Sequence, residues 1–211
     1  MKKTFLTFAL LSFALVFVGC KDDKVIFVGT MTDSRDGKTY KTVEIGSQSK
    51  TWMAENLNYK MEDSYCYNNN ESNCQKYGRL YKWEAAKSAC PAGWHLPSEE
   101  EFENLLVAAG GEKVADEKLK STSGWVDDGN GEDAFGFSAL PAGSRYSSRY
   151  SNGGYCDEGH FAYFWSSSVD SSLFANGYAY YMVLGYDYDV VSEVAFSYNN
   201  DYGFSVRCVK D

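Results

Sequence analysis

Five cysteines placed downstream of an export leader set the tightest limit on what this chain can fold into. The leader reads Met1-Lys2-Lys3, then an apolar run over residues 4–18, then Gly19-Cys20-Lys21-Asp22-Asp23-Lys24. Two lysines, a hydrophobic stretch of secretory length and a small residue directly before a cysteine make a signal peptide of the lipoprotein kind. The run is too short to span a bilayer and charge follows it at once, so it is not read as a permanent membrane helix. Cys20 is then committed to lipid, which leaves Cys66, Cys74, Cys90, Cys156 and Cys208 for an oxidising compartment. Cys66 and Cys74 flank a polar stretch, residues 67–73, that a local bridge would pin. A Cys90–Cys208 bridge would instead close nearly the whole domain. In the chain-entropy model the long loop is worth about 4–5 kcal/mol and the short one about 2–3 kcal/mol. The pairing stays open at this point, and with these two bridges Cys156 is the odd thiol.

The leader also resembles the lipobox, which implies cleavage before Cys20 and acylation of its thiol, although Phe17-Val18-Gly19 departs from the usual leucine-and-small pattern. Lys21-Asp22-Asp23 resembles the acidic export signal of bacterial surface lipoproteins, which implies an outer-membrane protein, lipid-anchored and facing the cell exterior. Removing residues 1–19 leaves 192 residues and shifts the formal charge from −9 to −11. That length suits one well-buried core. An acidic chain without a lysine or arginine cluster is a poor partner for nucleic acid, because phosphate neutralisation supplies that affinity. Membrane attachment therefore falls to the lipid rather than to a basic patch.

Residues 20–29 read as the lipidated cysteine and a tether, whose free part reaches roughly 25 Å when extended. The domain follows over residues 30–211. Residues 30–33 and 39–45 alternate as strands do, with Asp36-Gly37 as a hairpin turn between them. Residues 51–57 read as another strand. Residues 81–90 show helical spacing, stopped by Pro91. Ser98 and Glu101 form a capping box for a helix whose Phe102, Leu105, Leu106 and Ala109 share one face, ended by Gly110-Gly111. A weaker helical stretch covers residues 113–120. Short β-like runs follow at 135–140, 161–167, 178–184, 190–196 and 204–209. The pattern is α+β: two helices, short antiparallel strands and long irregular loops.

Seven blocks in order carry a family resemblance: Asp33-Ser34-Arg35-Asp36-Gly37-Lys38-Thr39-Tyr40, Thr51-Trp52-Met53-Ala54-Glu55-Asn56-Leu57-Asn58-Tyr59, Tyr77-Gly78-Arg79-Leu80-Tyr81, Cys90-Pro91-Ala92-Gly93-Trp94-His95-Leu96-Pro97-Ser98, Gly136-Phe137-Ser138-Ala139-Leu140-Pro141-Ala142-Gly143, Trp165-Ser166-Ser167-Ser168 and Gly203-Phe204-Ser205-Val206-Arg207-Cys208-Val209. Together they resemble the Fibrobacter succinogenes major paralogous domain over roughly residues 30–211. That family is similar to C-type-lectin-like domains. The resemblance implies a two-helix α+β fold with an irregular, ligand-facing half, and it implies a Cys90–Cys208 bridge. It implies no reaction.

Among candidate chemistry, His95 lies just before the Ser98 cap, where a hydrogen-bonded structural role is expected. Cys156 and His160 form a Cys-x3-His pair, too few groups for a tetrahedral metal site or an oriented nucleophile. Residues 127–133 carry Asp127, Asp128, Glu132 and Asp133 in a glycine-rich loop, oxygen-rich as calcium prefers but without EF-hand spacing; Asp187 and Asp189 are a weaker version. These read as solvated turns, so no metal, cofactor or catalytic residue is expected. The stretch 144–163 is rich in Tyr, Ser, Gly and Asn, the composition of recognition loops. Arg145, Tyr146, Arg149, Tyr150, Tyr155 and Tyr163 are the expected ligand-binding residues, with Tyr178, Tyr180, Tyr181, Tyr186 and Tyr188 as possible neighbours and Trp94 and Trp165 assigned to the core. The expectation is a non-catalytic surface module binding a glycan or a protein. The alternatives are a structural envelope protein or an enzyme related to formylglycine-generating enzymes, which need a redox-active cysteine pair.

Overall fold

A computed structural model describes residues 28–46, 50–146, 154–170, 178–187, 193–197 and 202–211. The expected hairpin forms first. Strand β1 (Val28–Thr32) pairs antiparallel with β2 (Thr39–Ile45), and the turn between them places Gly37 at φ 74°. Along β2 the buried residues Tyr40, Thr42, Val43 and Ile45 press into the protein while Lys41 and Glu44 face outward. Strand β3 (Lys50–Met53) extends this sheet, shorter than the run 51–57 that the sequence suggests.

Residues 67–73 are not merely a polar loop. Strand β4 (Ser64–Tyr65) leads through a short 3-10 turn into helix α1 (Glu71–Tyr77), whose N-cap Asn70 accepts a hydrogen bond from the Ser72 backbone. Only Cys74 and Tyr77 of this helix are buried, so it shows no apolar period for the sequence to reveal. The helix expected over 81–90 shrinks to α2 (Trp83–Ala86), because Leu80–Lys82 is taken into strand β5 by ladder bonds to two neighbours. Strand β6 (Trp94–His95) precedes α3 (Glu99–Ala108), where the capping box of Ser98 and Glu101 is present as read. Helix α4 (Glu112–Leu119) follows. The described residues therefore hold four α-helices instead of two.

The second half is more regular than its composition suggests. Strands β7 (Ala142–Arg145), β8 (Tyr155–Glu158), β9 (Phe161–Asp170), β10 (Tyr178–Gly185), β11 (Glu193–Ser197), β12 (Gly203–Phe204) and β13 (Val209–Lys210) occupy it. Residues 135–140 do not form a strand; they contribute one bridge, Ala139 to Lys120, and Ser138 turns at φ 52°. The run 204–209 is likewise split between β12 and β13. One sheet has the order β1-β2-β3-β13-β6; the other runs β11-β10-β9-β7-β12-β5-β4, with β8 on β7. The mixed α+β class is as expected.

Two large apolar clusters fill most of the interior, and a third, smaller one gathers Tyr67, Tyr77, Leu80 and Ala142. Of the large pair, one packs Val43, Ile45 and Trp52 against Phe102, Leu105 and Leu106 of α3 and against Phe137, Phe164 and Met182. The other gathers Met53, Leu57, Tyr81, Trp165, Phe204 and Val206, with Trp94 partly buried at its edge. Arg207, fully buried, crosses between them. Its guanidinium donates to Asn56 Oδ1 at 2.7 Å, to the carbonyls of Met53 and Ser138 at 3.2 and 3.0 Å and to that of Phe137, and lies 4.6 Å from the Phe137 ring centre. Burial lowers its pKa to about 9, so it keeps its charge at neutral pH. Disulfides join Cys66 to Cys74 and Cys90 to Cys208, and Cys156 is free. No helix among the described residues is long and apolar enough to cross a membrane.

Candidate binding site

The β7–β8 hairpin divides the expected ligand-binding residues between its two faces. Side chains alternate along a strand, and residues opposite each other in an antiparallel pair share a face. Ser144 pairs with Cys156, and Arg145 with Tyr155. On the second face the Arg145 guanidinium lies 4.0 Å over the Tyr65 ring. Tyr155 packs on Tyr67 at 5.2 Å between ring centres and donates its hydroxyl to Asn69 Oδ1 at 2.8 Å. Arg145 and Tyr155 thus close the surface over β4 and the 3-10 turn. Arg149 and Tyr150 lie outside the described residues, as do Tyr188, Asp189 and the lipidation residue Cys20.

Tyr146 and Tyr163 meet on the first face, around Cys156. The thiol lies 3.1 Å from Ser144 Oγ and donates to Asp157 Oδ2 at 3.0 Å. The Tyr163 hydroxyl donates to the same carboxylate oxygen at 3.2 Å, and the Tyr146 hydroxyl lies near the thiol. Tyr146 stands edge-on to Tyr202 at 6.3 Å; behind them Phe204 contacts Tyr202, Tyr163, Tyr181 and the buried Trp165. A polar nest of one carboxylate, one thiol and three hydroxyls therefore sits on an aromatic floor that is continuous with the core.

Backbone geometry assembles this nest. Strict alternation would turn Asp157 to the face of Tyr155, but Asp157 is left-handed at φ 64° and its carboxylate comes round to Cys156 and Tyr163. Opposite it Gly143 is left-handed too, at φ 63°. A Cβ there would lie 2.2 Å from the Cys156 carbonyl oxygen and 2.6 Å from the Glu158 nitrogen. Only glycine allows that approach. Sequence reasoning did not single out Asp157 or Ser144; the signal available was Gly143, just past the 135–140 run, because a glycine in a strand marks close backbone approach.

The electrostatics keep Cys156 a thiol rather than a thiolate. Burial, with the Asp157 hydrogen bond, pushes the Cys156 thiol above its ordinary value against the opposing bonds from Ser144 and Tyr146, so it is protonated at neutral pH. Its hydrogen bond and charge hold Tyr146 up at about 12, and burial beside Asp157 raises Tyr163 as well. His160 is not paired with Cys156: its Nδ1 lies 3.1 Å from the Glu158 carbonyl and its ring is edge-on to Tyr186. Tyr178 is buried.

A second concavity, about 660 Å³, lies between α3 and the first sheet, with Ile45, Trp52 and Leu105 on its floor. At its rim His95 bridges two carboxylates, Asp211 at 2.7 Å through Nδ1 and Glu101 at 2.9 Å through Nε2. Glu101 also meets Lys50 at 3.2 Å and caps Ser98 N at 3.0 Å. Both ring nitrogens are occupied, which is the structural role expected of His95. In the acidic loop Glu132 pairs with Lys118, and Asp133 accepts from the Ser138 backbone and hydroxyl, so these oxygens serve the turn itself. The only cysteine–carboxylate group close enough to hold a metal among the described residues is Cys66, Glu71 and Cys74, and the disulfide occupies both sulfurs.

The family model for the Fibrobacter succinogenes major domain matches residues 43–210. The chain belongs to this family. No curated protein and no solved structure matches it.

Proposed function

We propose that this protein is a lipid-anchored, cell-surface module that binds a glycan without transforming it, through the tyrosine face around Asp157. The observation that carries the reading is the convergence of Tyr146, Tyr163, Ser144 and Asp157 on a floor braced by Phe204 and Trp165. Flat rings backed by a core offer area at little entropic cost, and the hydroxyls and carboxylate supply directional bonds, which is how recognition surfaces combine affinity with specificity. The leader and Cys20 support outer-membrane anchoring, with residues 20–29 as tether and 30–211 as the binding domain. The finer fold assignment belongs here too: a C-type-lectin-like domain is supported by the bridge from Cys90 to Cys208 and by the adjacency of early and late strands, β3 beside β13. An enzyme of the formylglycine-generating kind is disfavoured by the protonated Cys156, whose four described fellows are all in disulfides. A protein ligand and a structural envelope role are the readings to set against it.

The test is binding of the oxidised protein to a broad polysaccharide array, repeated after Tyr146→Ala and Tyr163→Phe. Saturable binding lost in these variants supports the reading. A folded protein that captures no saccharide overturns it, and protease shaving of intact cells tests the exterior location.

A further inference from the structure

We propose that the ligand of this face presents an ammonium group to Asp157, as a saccharide containing 2-amino-2-deoxy sugars does; the inference rests on the glycan-binding reading above. Three inward-facing carboxylates elsewhere are matched with cations, Asp33 with Arg35 at 2.7 Å, Glu101 with Lys50 and His95, and Asp116 with Lys120, while half-buried Asp133 is held by two donors of Ser138. Asp157 is half-buried, and no cation lies within ion-pair distance of it among the described residues. Its two donors are the Cys156 thiol and the Tyr163 hydroxyl, both neutral. Arg145 is turned to the opposite face of the hairpin, over Tyr65, and Arg149 lies outside the described residues. A half-buried carboxylate without a cation attracts one, and a strand geometry that needs two left-handed residues holds it in place.

The surroundings fit a cation. Tyr163 donates to the carboxylate and Tyr146 stands near it, with Tyr202 behind Tyr146, and electron-rich ring faces attract ammonium groups as carboxylates do. The chain's net charge of −9 adds a long-range pull of the same sign. An amino sugar meets all of these at once: ammonium to Asp157, ring hydroxyls to Ser144 and the tyrosine hydroxyls, and the apolar sugar face to an aromatic ring.

The test compares a β-1,4-linked glucosamine tetramer with its fully N-acetylated counterpart, by calorimetry on the oxidised protein at pH 6 and low salt. The two differ at C2 alone, an ammonium in one and a neutral acetamide in the other. The expected result is at least about ten-fold tighter binding of the glucosamine tetramer, weakening as salt is raised. Asp157→Asn, which tolerates the left-handed backbone, removes the preference and leaves the thermal midpoint near that of the parent. Equal affinity for both tetramers, or a preference that survives Asp157→Asn, overturns the inference. Oligolysine that competes as well as the glucosamine tetramer also overturns it, because charge alone then suffices. Binding of neutral saccharides through Tyr146 and Tyr163 without ammonium preference defeats this inference and leaves the proposed function standing; absence of any saccharide binding defeats both.

Discussion

At the scale of single residues, two positions decide whether the candidate site exists. Gly143 admits the Cys156 carbonyl at a distance no Cβ tolerates, and its φ of 63° is strained for any other residue. Gly143→Ala is expected to cost about 2 kcal/mol or more in urea unfolding and to weaken ligand binding with it. A neutral effect would mean the hairpin relaxes freely and the nest is not held by its backbone. Arg207 is the second such position, although it lies in the core. Arg207→Met removes the donors to Asn56 and three carbonyls, and loss of about 3 kcal/mol or more is expected, read from the denaturation midpoint. These residues were only partly visible in the sequence. The tyrosines could be named from composition; Asp157 could not, because its role depends on a left-handed turn inside a strand.

At the scale of elements, legibility followed local chemistry. The capping box and apolar face of α3 are local, and they form as read. Ser98→Ala is expected to cost about 1 kcal/mol, measured by thermal unfolding. Burial raises the Glu101 pKa, but bonds from the Ser98 backbone, His95 and Lys50 outweigh it, and the net shift is downward. A carboxyl with a lowered folded pKa contributes stability above its unfolded value and loses it as pH falls through the folded one. Stability is therefore expected to fall as pH drops through the ordinary glutamate range and below, and Glu101→Gln to flatten that acid limb in a pH series of unfolding midpoints. An unchanged slope would place the acid sensitivity elsewhere. Helix 81–90 failed as a reading because distant strands, β12 and β4, claim Leu80–Lys82, and such pairing leaves no local signal. The β7–β8 hairpin failed in the other direction: its Tyr, Ser and Gly content resembles a loop, yet its alternation sends Arg145 and Tyr155 to one face and Tyr146 to the other.

At the scale of the whole molecule, the two disulfides do different work. Cys90–Cys208 joins residues 118 apart, and Cys66–Cys74 only 8. The chain-entropy model assigns them about 5 and about 2.5 kcal/mol. Paired Cys→Ala substitutions at 90 and 208 are expected to destabilise clearly more than those at 66 and 74; the reverse order would mean that packing strain outweighs loop closure. Spacing left this pairing open, and only the family resemblance pointed to it. The family and the α+β class were legible because ordered motif blocks record packing that the whole domain shares, whereas a binding face depends on which side chains a few backbone turns bring together.

The central claim is that the tyrosine face recognises a saccharide. Its most direct test is equilibrium binding of the oxidised protein to the saccharide selected by array, compared with Tyr146→Ala, Tyr163→Phe and, on the other face of the hairpin, Tyr155→Ala. The account predicts that the first two lose most of the affinity, by about ten-fold or more, while Tyr155→Ala retains it. Affinity lost in Tyr155→Ala and kept in the other two would contradict the account and move the site to the opposite face.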